Sequence, residues 1–119
     1  MRYLLILLFL VSLPAKAVDP WSHEDKVRLA IWGTLQTVDW LQTRNIAKHP
    51  DQWYETNPRL GNHPTPGEVN RFFLTTTATH ILIANFLPSE YRKVFQYLSI
   101  GYEFSYVERN YRIGIKMEF

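Results

Sequence analysis

Apolar residues recur at helical spacing over three long segments of the chain. The spacing predicts helices over about 22–48, 66–87 and 89–109. A short break at Pro88, with Ser89 as the next N-cap, indicates that the second and third helices form an antiparallel hairpin. The predicted fold class is therefore all-α, a three-helix bundle in a single small helical domain over residues 18–119.

The first two helices begin with capping signals. Ser22 precedes an acidic first turn that contains Asp25, which places negative charge at the positive end of the helix dipole. Thr65, Pro66 and Glu68 form a capping-box pattern with proline at the first helical position. Both patterns predict a helix N-terminus.

The first and third helices each carry an apolar stripe with a more polar line beside it. The apolar stripes consist of Val27, Ile31, Leu35, Val38 and Leu41, and of Tyr91, Phe95, Leu98, Tyr102 and Tyr106. The polar lines consist of Trp32, Gln36, Asp39 and Thr43, and of Gln96, Ser99, Glu103 and Asn110. The second helix is apolar or threonine on almost every side, which is typical of a helix buried in protein or in lipid.

Two segments fall outside the helices. Residues 49–64 contain three prolines, two asparagines and a glycine, so they form a long connection between the first and second helices. Residues Tyr111 to Phe119 alternate apolar and polar side chains, which predicts a short C-terminal extended strand. Such a strand must pair with another segment, with a partner protein or with a second copy, or else remain extended along the bundle.

The N-terminus has the pattern of a secretory signal peptide over residues 1–17. An apolar run from Tyr3 to Leu13 precedes the triplet Ala15-Lys16-Ala17, so we expect cleavage after Ala17. The run is too short for a stable membrane anchor. Export would place the mature chain in the periplasm or at a membrane of a Gram-negative envelope.

Charge, length and motifs exclude several classes of protein. The 119 residues contain no cysteine, which excludes a disulfide scaffold and a cysteine nucleophile, and the length excludes a multidomain enzyme. Removal of Arg2 and Lys16 with the signal peptide leaves equal numbers of basic and acidic side chains, so no nucleic-acid partner is expected. No zincin, nucleophile-elbow or phosphate-loop motif occurs, so the sequence assigns no catalytic residue, no metal and no cofactor.

Each predicted helix carries one ionisable residue in an apolar or weakly polar setting. These residues are Asp39, His80 and Glu103, and they can converge if the helices pack together. Converged, they could bind a divalent metal or perform acid and base chemistry. The alternative interpretation is a core histidine hydrogen-bonded to one carboxylate, while the other carboxylate faces water.

The connection between the first two helices contains a dense cluster of special residues. Pro58 holds Asn57 extended, and Gly61 permits a positive φ. Glu55 is placed to cap a helix end or to pair with Arg44 or Arg59. The cluster is interpreted either as a rigid corner or as a presented binding surface. The candidate binding residues of the whole chain are Asp39, Gln42, Thr43, Glu55, Asn57, Arg59, His80 and Glu103.

Several motifs together resemble a known group of proteins. They are Asp39-Trp40-Leu41-Gln42-Thr43, the stretch from Glu55-Thr56-Asn57-Pro58 to Pro64, Asn70-Arg71-Phe72-Phe73, His80, and the tail Asn110-Tyr111-Arg112-Ile113-Gly114-Ile115 ending in Phe119. This pattern resembles small exported proteins, without assigned activity, encoded by phages and prophages of Gram-negative bacteria. The resemblance implies a phage or prophage context and an envelope location, and it supplies no catalytic residues. The Asp, Gln-Thr and Glu-x-Asn-Pro elements are also similar to small multi-helix membrane proteins.

These observations lead to one functional hypothesis and two rivals. The first is a non-enzymatic accessory protein of the bacterial envelope that binds an envelope protein or the membrane, with strand pairing through Tyr111 to Phe119 as one route. The alternative is a small integral inner-membrane protein of three or four helices with Asp39, His80 and Glu103 buried between them. The third is a metal-dependent hydrolase that uses the same three residues.

Overall fold

The computed structural model describes residues 18–119 of the chain, which form three α-helices. Helix α1 spans His23–Lys48, α2 spans Pro66–Phe86 and α3 spans Ser89–Arg112. The helices pack together, so the predicted all-α three-helix bundle is confirmed. The predicted signal peptide, residues 1–17, lies outside the described residues.

Capping at the first two helices follows the sequence. The Ser22 hydroxyl accepts a hydrogen bond from the backbone N–H of Asp25, and the Asp25 carboxylate accepts one from the Ser22 N–H, each at 3.0 Å. The Thr65 hydroxyl accepts from the Glu68 N–H at 3.1 Å. These bonds satisfy donors that the first turn of a helix cannot pair internally.

The predicted N-cap of α3 is wrong. Pro88 occupies the cap position, and Ser89 is the first helical residue. The backbone N–H of Ser89 donates to Oδ2 of Asp19 at 2.7 Å. A residue far away in the sequence therefore pairs the terminal N–H, and local capping signals do not show such a contact.

The predicted C-terminal strand is not seen in the described part of the chain. Helix α3 continues to Arg112, and the chain then turns through Gly114, whose φ of 94° is a conformation that glycine adopts readily. Beyond the turn, Ile115 is buried and the tail lies against α1. The Glu118 N–H donates to the Leu41 carbonyl at 2.9 Å, and the Glu118 carboxylate accepts from the Asn45 amide at 3.0 Å. With no neighbouring strand to pair with in residues 18–119, the tail finds its hydrogen bonds on α1.

The interior of the bundle is largely polar. Among residues 18–119, six hydrophobic residues are buried, compared with thirteen polar or charged ones. Helix α1 lies between α2 and α3 and contacts both of them more extensively than they contact each other. Polar residues of α1 and α3 face each other: Asp39 lies against Glu103, and the Asn110 amide donates to Oε1 of Gln42 at 3.2 Å. The residues that hold the bundle together are thus mainly hydrogen-bonding residues.

None of the residues in the apolar stripes of α1 and α3 is buried. An amphipathic helix ordinarily turns such a stripe toward the core. Here Val27 and Ile31 are exposed, and Leu98 keeps 70% of its surface accessible. Helix α2, apolar almost all round, buries only Val69, Phe73, His80 and Ala84. The physical reason is that buried amides and charges need partners, and the polar lines can supply them to each other.

The described helices were also compared with the requirements for crossing a bilayer. None of the three helices within residues 18–119 combines the length and the apolar character that a membrane span requires.

Candidate functional site

A cavity of about 690 Å³ lies between the three helices and the connection from α1 to α2. Its buried lining residues are mostly polar and come from α1, α2, α3 and the connection. They are Trp32, Gln36, Asp39, Glu55, His80 and Glu103. The more accessible lining residues include Asn57, Arg59, Phe72, Thr75, Thr76, Thr79, Ile83, Phe95, Leu98, Ser99, Tyr102 and Tyr106. The volume suits a drug-sized organic molecule.

Asp39, His80 and Glu103 all line this cavity, as the sequence suggested they could. Asp39 and Glu103 hydrogen-bond to each other, and the Thr43 hydroxyl contacts Oδ1 of Asp39 at 3.3 Å. His80 instead stacks on Trp32, with ring centroids 3.5 Å apart and planes 5° from parallel. Its Nε2 is buried without a hydrogen-bond partner within the described chain, so the expected bond from this atom to a carboxylate is not formed.

Burial sets the protonation of these three groups. Burial, followed by the neighbouring Glu103 charge, raises the pKa of Asp39 to about 9. Burial also raises the pKa of Glu103. The pair therefore retains at least one proton at neutral pH. Burial lowers the pKa of His80 to about 4, so its imidazole is neutral at pH 7.

The Glu55 segment forms a compact corner beside the cavity. The Glu55 carboxylate accepts hydrogen bonds from the backbone N–H groups of Thr56 and Asn57, both at 2.9 Å. The Asn57 side chain accepts from the Arg59 N–H at 3.0 Å, and the Glu55 N–H donates to the Asn62 carbonyl at 2.8 Å. Glu55 therefore binds its own loop, and the expectation that it caps a helix or pairs with Arg44 or Arg59 is wrong. By accepting from these two backbone N–H groups, the carboxylate stabilises the turn of the loop.

Gly61 adopts a φ of 78° in this corner, which confirms the expected positive φ. We expect Gly61→Ala to destabilise the protein by about 1 kcal/mol, because a Cβ at positive φ is strained even where space is free. Gly33→Ala is the matched control: Gly33 lies inside α1 with open space around it, and alanine there should stabilise by about 0.5–1 kcal/mol. Urea unfolding measures the change in the free energy of unfolding for both variants. Equal changes at the two positions would contradict the positive φ assigned to Gly61.

Six of the eight candidate binding residues line the cavity and two do not. The six are Asp39, Glu55, Asn57, Arg59, His80 and Glu103. Thr43 instead contacts Asp39 from one turn away along α1. The Gln42 amide donates to the Val107 carbonyl at 3.3 Å, so Gln42 ties α1 to α3. In the part of the chain that the structure describes, no group of three or more His, Asp or Glu side chains could hold a metal ion.

Sequence reasoning missed a second buried cluster, at the end of the bundle where α1 and α3 begin. Arg92 is fully buried, and its guanidinium bonds Asp25 at 2.9 Å. Arg28 contacts the same carboxylate and donates to Oε1 of Gln96 at 2.7 Å. Burial by itself would raise the pKa of Asp25, but hydrogen bonds from Ser22 and the two arginines outweigh it and lower that pKa. The sequence does contain a signal for a polar inward face on α3, because Arg92, Gln96 and Glu103 recur at helical spacing.

No family model, no curated protein and no solved structure matches this chain.

Proposed function

We propose that this chain is a non-enzymatic accessory protein of a Gram-negative envelope, of phage or prophage type, which acts by binding the lipid surface of that envelope. The proposal rests on a reversed distribution of side chains, in which apolar residues lie outside and polar residues lie inside. Within residues 18–119, sixteen large hydrophobic residues are exposed while most buried residues are polar. Large exposed apolar patches commonly mark surfaces that contact a protein or a membrane.

The proposed binding surface is concentrated at one end of the bundle. We define the outward apolar face as Val27, Ile31, Ile83, Phe86, Tyr91, Val94, Tyr97 and Leu98, all of them exposed. Arg28 lies 5.4 Å from the Tyr97 ring centroid, and Trp21 donates to the Asn85 side chain at 3.1 Å. These contacts bring the start of α1 beside the start of α3 and the end of α2. Eight exposed apolar side chains from three helices therefore belong to the same end.

A lipid surface suits this face better than a single protein partner. The apolar residues come from all three helices, which favours contact with an extended apolar phase. Tyr91 and Tyr97 have an apolar ring and a polar hydroxyl, the combination that is enriched at membrane interfaces. The chain without its first 17 residues carries equal numbers of acidic and basic side chains, so burial of apolar area supplies the attraction. Binding should then depend little on salt.

Vesicle binding tests this proposal. We expect the protein to co-sediment with phosphatidylethanolamine and phosphatidylglycerol vesicles, and to do so equally in 0.1 M and 0.5 M NaCl. Tyr91→Glu with Val94→Glu should reduce binding at least about tenfold, because each charge must be desolvated at the membrane. Gln52→Glu with His63→Glu adds the same charge at exposed loop positions and should leave binding unchanged.

Three outcomes would contradict the proposal. Unaltered vesicle binding by the Tyr91 and Val94 variant would place the contact elsewhere on the molecule. Loss of binding in 0.5 M NaCl would point to an electrostatic contact. Failure of the unmodified protein to bind vesicles would favour a protein partner for the same face.

The reversed distribution also favours a second candidate. Polar residues inside and apolar residues outside are what an integral protein with Asp39, His80 and Glu103 between its helices would show, although no helix within residues 18–119 has the length and apolar character of a membrane span. Alkaline carbonate extraction of membranes from an exporting host separates the two candidates. Release of the protein into the supernatant supports surface binding, and retention in the pellet supports the integral form.

A further inference from the structure

The cavity contains two buried polar atoms that lack a hydrogen-bond partner. His80 is 6% exposed and Glu103 is 9% exposed, and both line the cavity. Nε2 of His80 and Oε2 of Glu103 make no hydrogen bond within the described chain. Buried polar atoms are nearly always paired, and each unpaired one costs free energy. Two such atoms at one cavity indicate a site for a hydrogen-bond donor supplied from outside.

The groups around these two atoms favour a cationic donor. Asp39 and Glu103 share a hydrogen bond and lie side by side, with the Glu55 carboxylate on the same cavity. Arg59 is the cationic side chain that lines the cavity among residues 18–119, and it is exposed to solvent. Because Arg59 is hydrated, it offsets the charge of the cavity's carboxyl groups only weakly. A positive group entering the cavity would find both an acceptor and a counter-charge.

The walls around the carboxyl pair are aromatic. Trp32 stacks on the His80 ring, and Phe95 also contacts this ring, with the centroids of His80 and Phe95 4.7 Å apart. Tyr102 and Tyr106, whose ring centroids are 5.0 Å apart, add two further rings. Aromatic faces attract cations and also bury apolar groups. A ligand with an apolar body and a charged end would use both properties.

We propose that this cavity binds a small organic cation, a protonated amine on an apolar body, which donates hydrogen bonds to Oε2 of Glu103 and Nε2 of His80. The apolar body packs against Trp32 and Phe95. The cavity volume of about 690 Å³ accommodates a molecule of that class. This inference does not depend on membrane binding, because it rests on the buried Nε2 of His80 and Oε2 of Glu103, whereas the membrane proposal rests on the exposed side chains of the outward apolar face, of which only Ile83 and Leu98 also line the cavity.

Calorimetric titration of the unmodified protein with two amines tests the proposal. The probes are 2-phenylethylamine and hexylamine, and the neutral controls are 2-phenylethanol and hexanol. We expect each amine to bind at least about tenfold more tightly than its alcohol, since a charge-assisted hydrogen bond is stronger than a neutral one. Binding should also change the fluorescence of Trp32, which lines the cavity.

Two matched variants test whether the amine recognises the carboxyl group of Glu103. Glu103→Gln keeps the shape and removes the charge, so it should weaken amine binding about tenfold and leave alcohol binding unchanged. Glu108→Gln is the control on the same helix: Glu108 is exposed and pairs with Arg112 at 3.1 Å. It should change neither affinity.

Two results of the titration would overturn the proposal. Equal affinity for amine and alcohol, or no binding of either amine by the folded protein, would overturn the proposal without any variant. Unchanged amine binding in folded Glu103→Gln would also overturn it. Loss of vesicle binding with intact amine binding would count only against the proposed function.

Discussion

Replacement of Arg92 by methionine is expected to lower the free energy of unfolding by about 3–5 kcal/mol, the usual cost of breaking a buried ion pair from one side. All five N–H donors of Arg92 are used. One binds the Asp25 carboxylate, and the others bind the backbone carbonyls of Asp19, Pro20, Ala84 and Leu87 at 2.7–3.3 Å. Methionine has similar length but no donor, so it would leave the buried Ala84 carbonyl without this partner and remove one of the two arginines that pair with the buried Asp25 carboxylate.

Urea unfolding of Arg92→Met measures this effect. Lys93→Met is the matched control, because Lys93 is the next residue on the same helix and is exposed. It should change the free energy of unfolding by less than about 0.5 kcal/mol. Asp25→Asn, alone and combined with Arg92→Met, completes a double-mutant cycle that should show coupling between the two residues. A loss below 1 kcal/mol in Arg92→Met would mean that water replaces the guanidinium at little cost.

The stability of the protein is expected to fall as the pH rises from about 6.5 to 9. The folded state holds a proton on the Asp39 and Glu103 pair up to about pH 9, whereas an unfolded aspartate releases its proton near pH 3.8. Between these values the folded state binds the extra proton, so raising the pH favours unfolding. His80 has the opposite effect: its folded pKa of about 4 lies below the ordinary value of 6.5, so its contribution to stability is lost as the pH falls from 6.5 to 4. The two contributions to the free energy of unfolding oppose each other between pH 4 and 6.5. Between pH 6.5 and 9, only that of the carboxyl pair changes with pH.

Thermal and urea unfolding across pH 4–9 check this profile. One proton corresponds to at most about 1.4 kcal/mol per pH unit, or roughly 3 kcal/mol between pH 6.5 and 9. Asp39→Asn should flatten the alkaline part of the curve, because the amide does not titrate. Asp51→Asn, at an exposed loop position, should leave the curve unchanged in shape. An alkaline decline of undiminished slope in Asp39→Asn would show that another group holds the proton.

Local sequence signals predicted the helices well. Ser22 with Asp25, and Thr65 with Glu68, cap α1 and α2 as their spacing indicated. Such signals act over three or four residues, so they can be found without the fold. Two of the errors lie where a distant residue intervenes. Asp19 caps α3 in place of Ser89, and the tail lies on α1 instead of forming a strand.

The sequence predicted which ionisable residues form the candidate site, but it did not predict how their side chains contact each other. The three ionisable residues were expected to converge, and all of them line one cavity. The stacking of His80 on Trp32 and the shared hydrogen bond of Asp39 and Glu103 depend on how the helices are rotated about their axes. Helical spacing groups residues into faces, but it does not say which faces meet.

Local patterns in the amino-acid sequence are enough to predict three helices within residues 18–119, the start of α1 and of α2, and the side chains that share a face. The inward orientation of the polar faces is visible only in the packed bundle. The reason is physical: apolar burial is non-directional and can be satisfied by several arrangements, or by a lipid surface. Buried charges such as Arg92 and Asp25 need partners at hydrogen-bond distance, and only the packed bundle places those partners there.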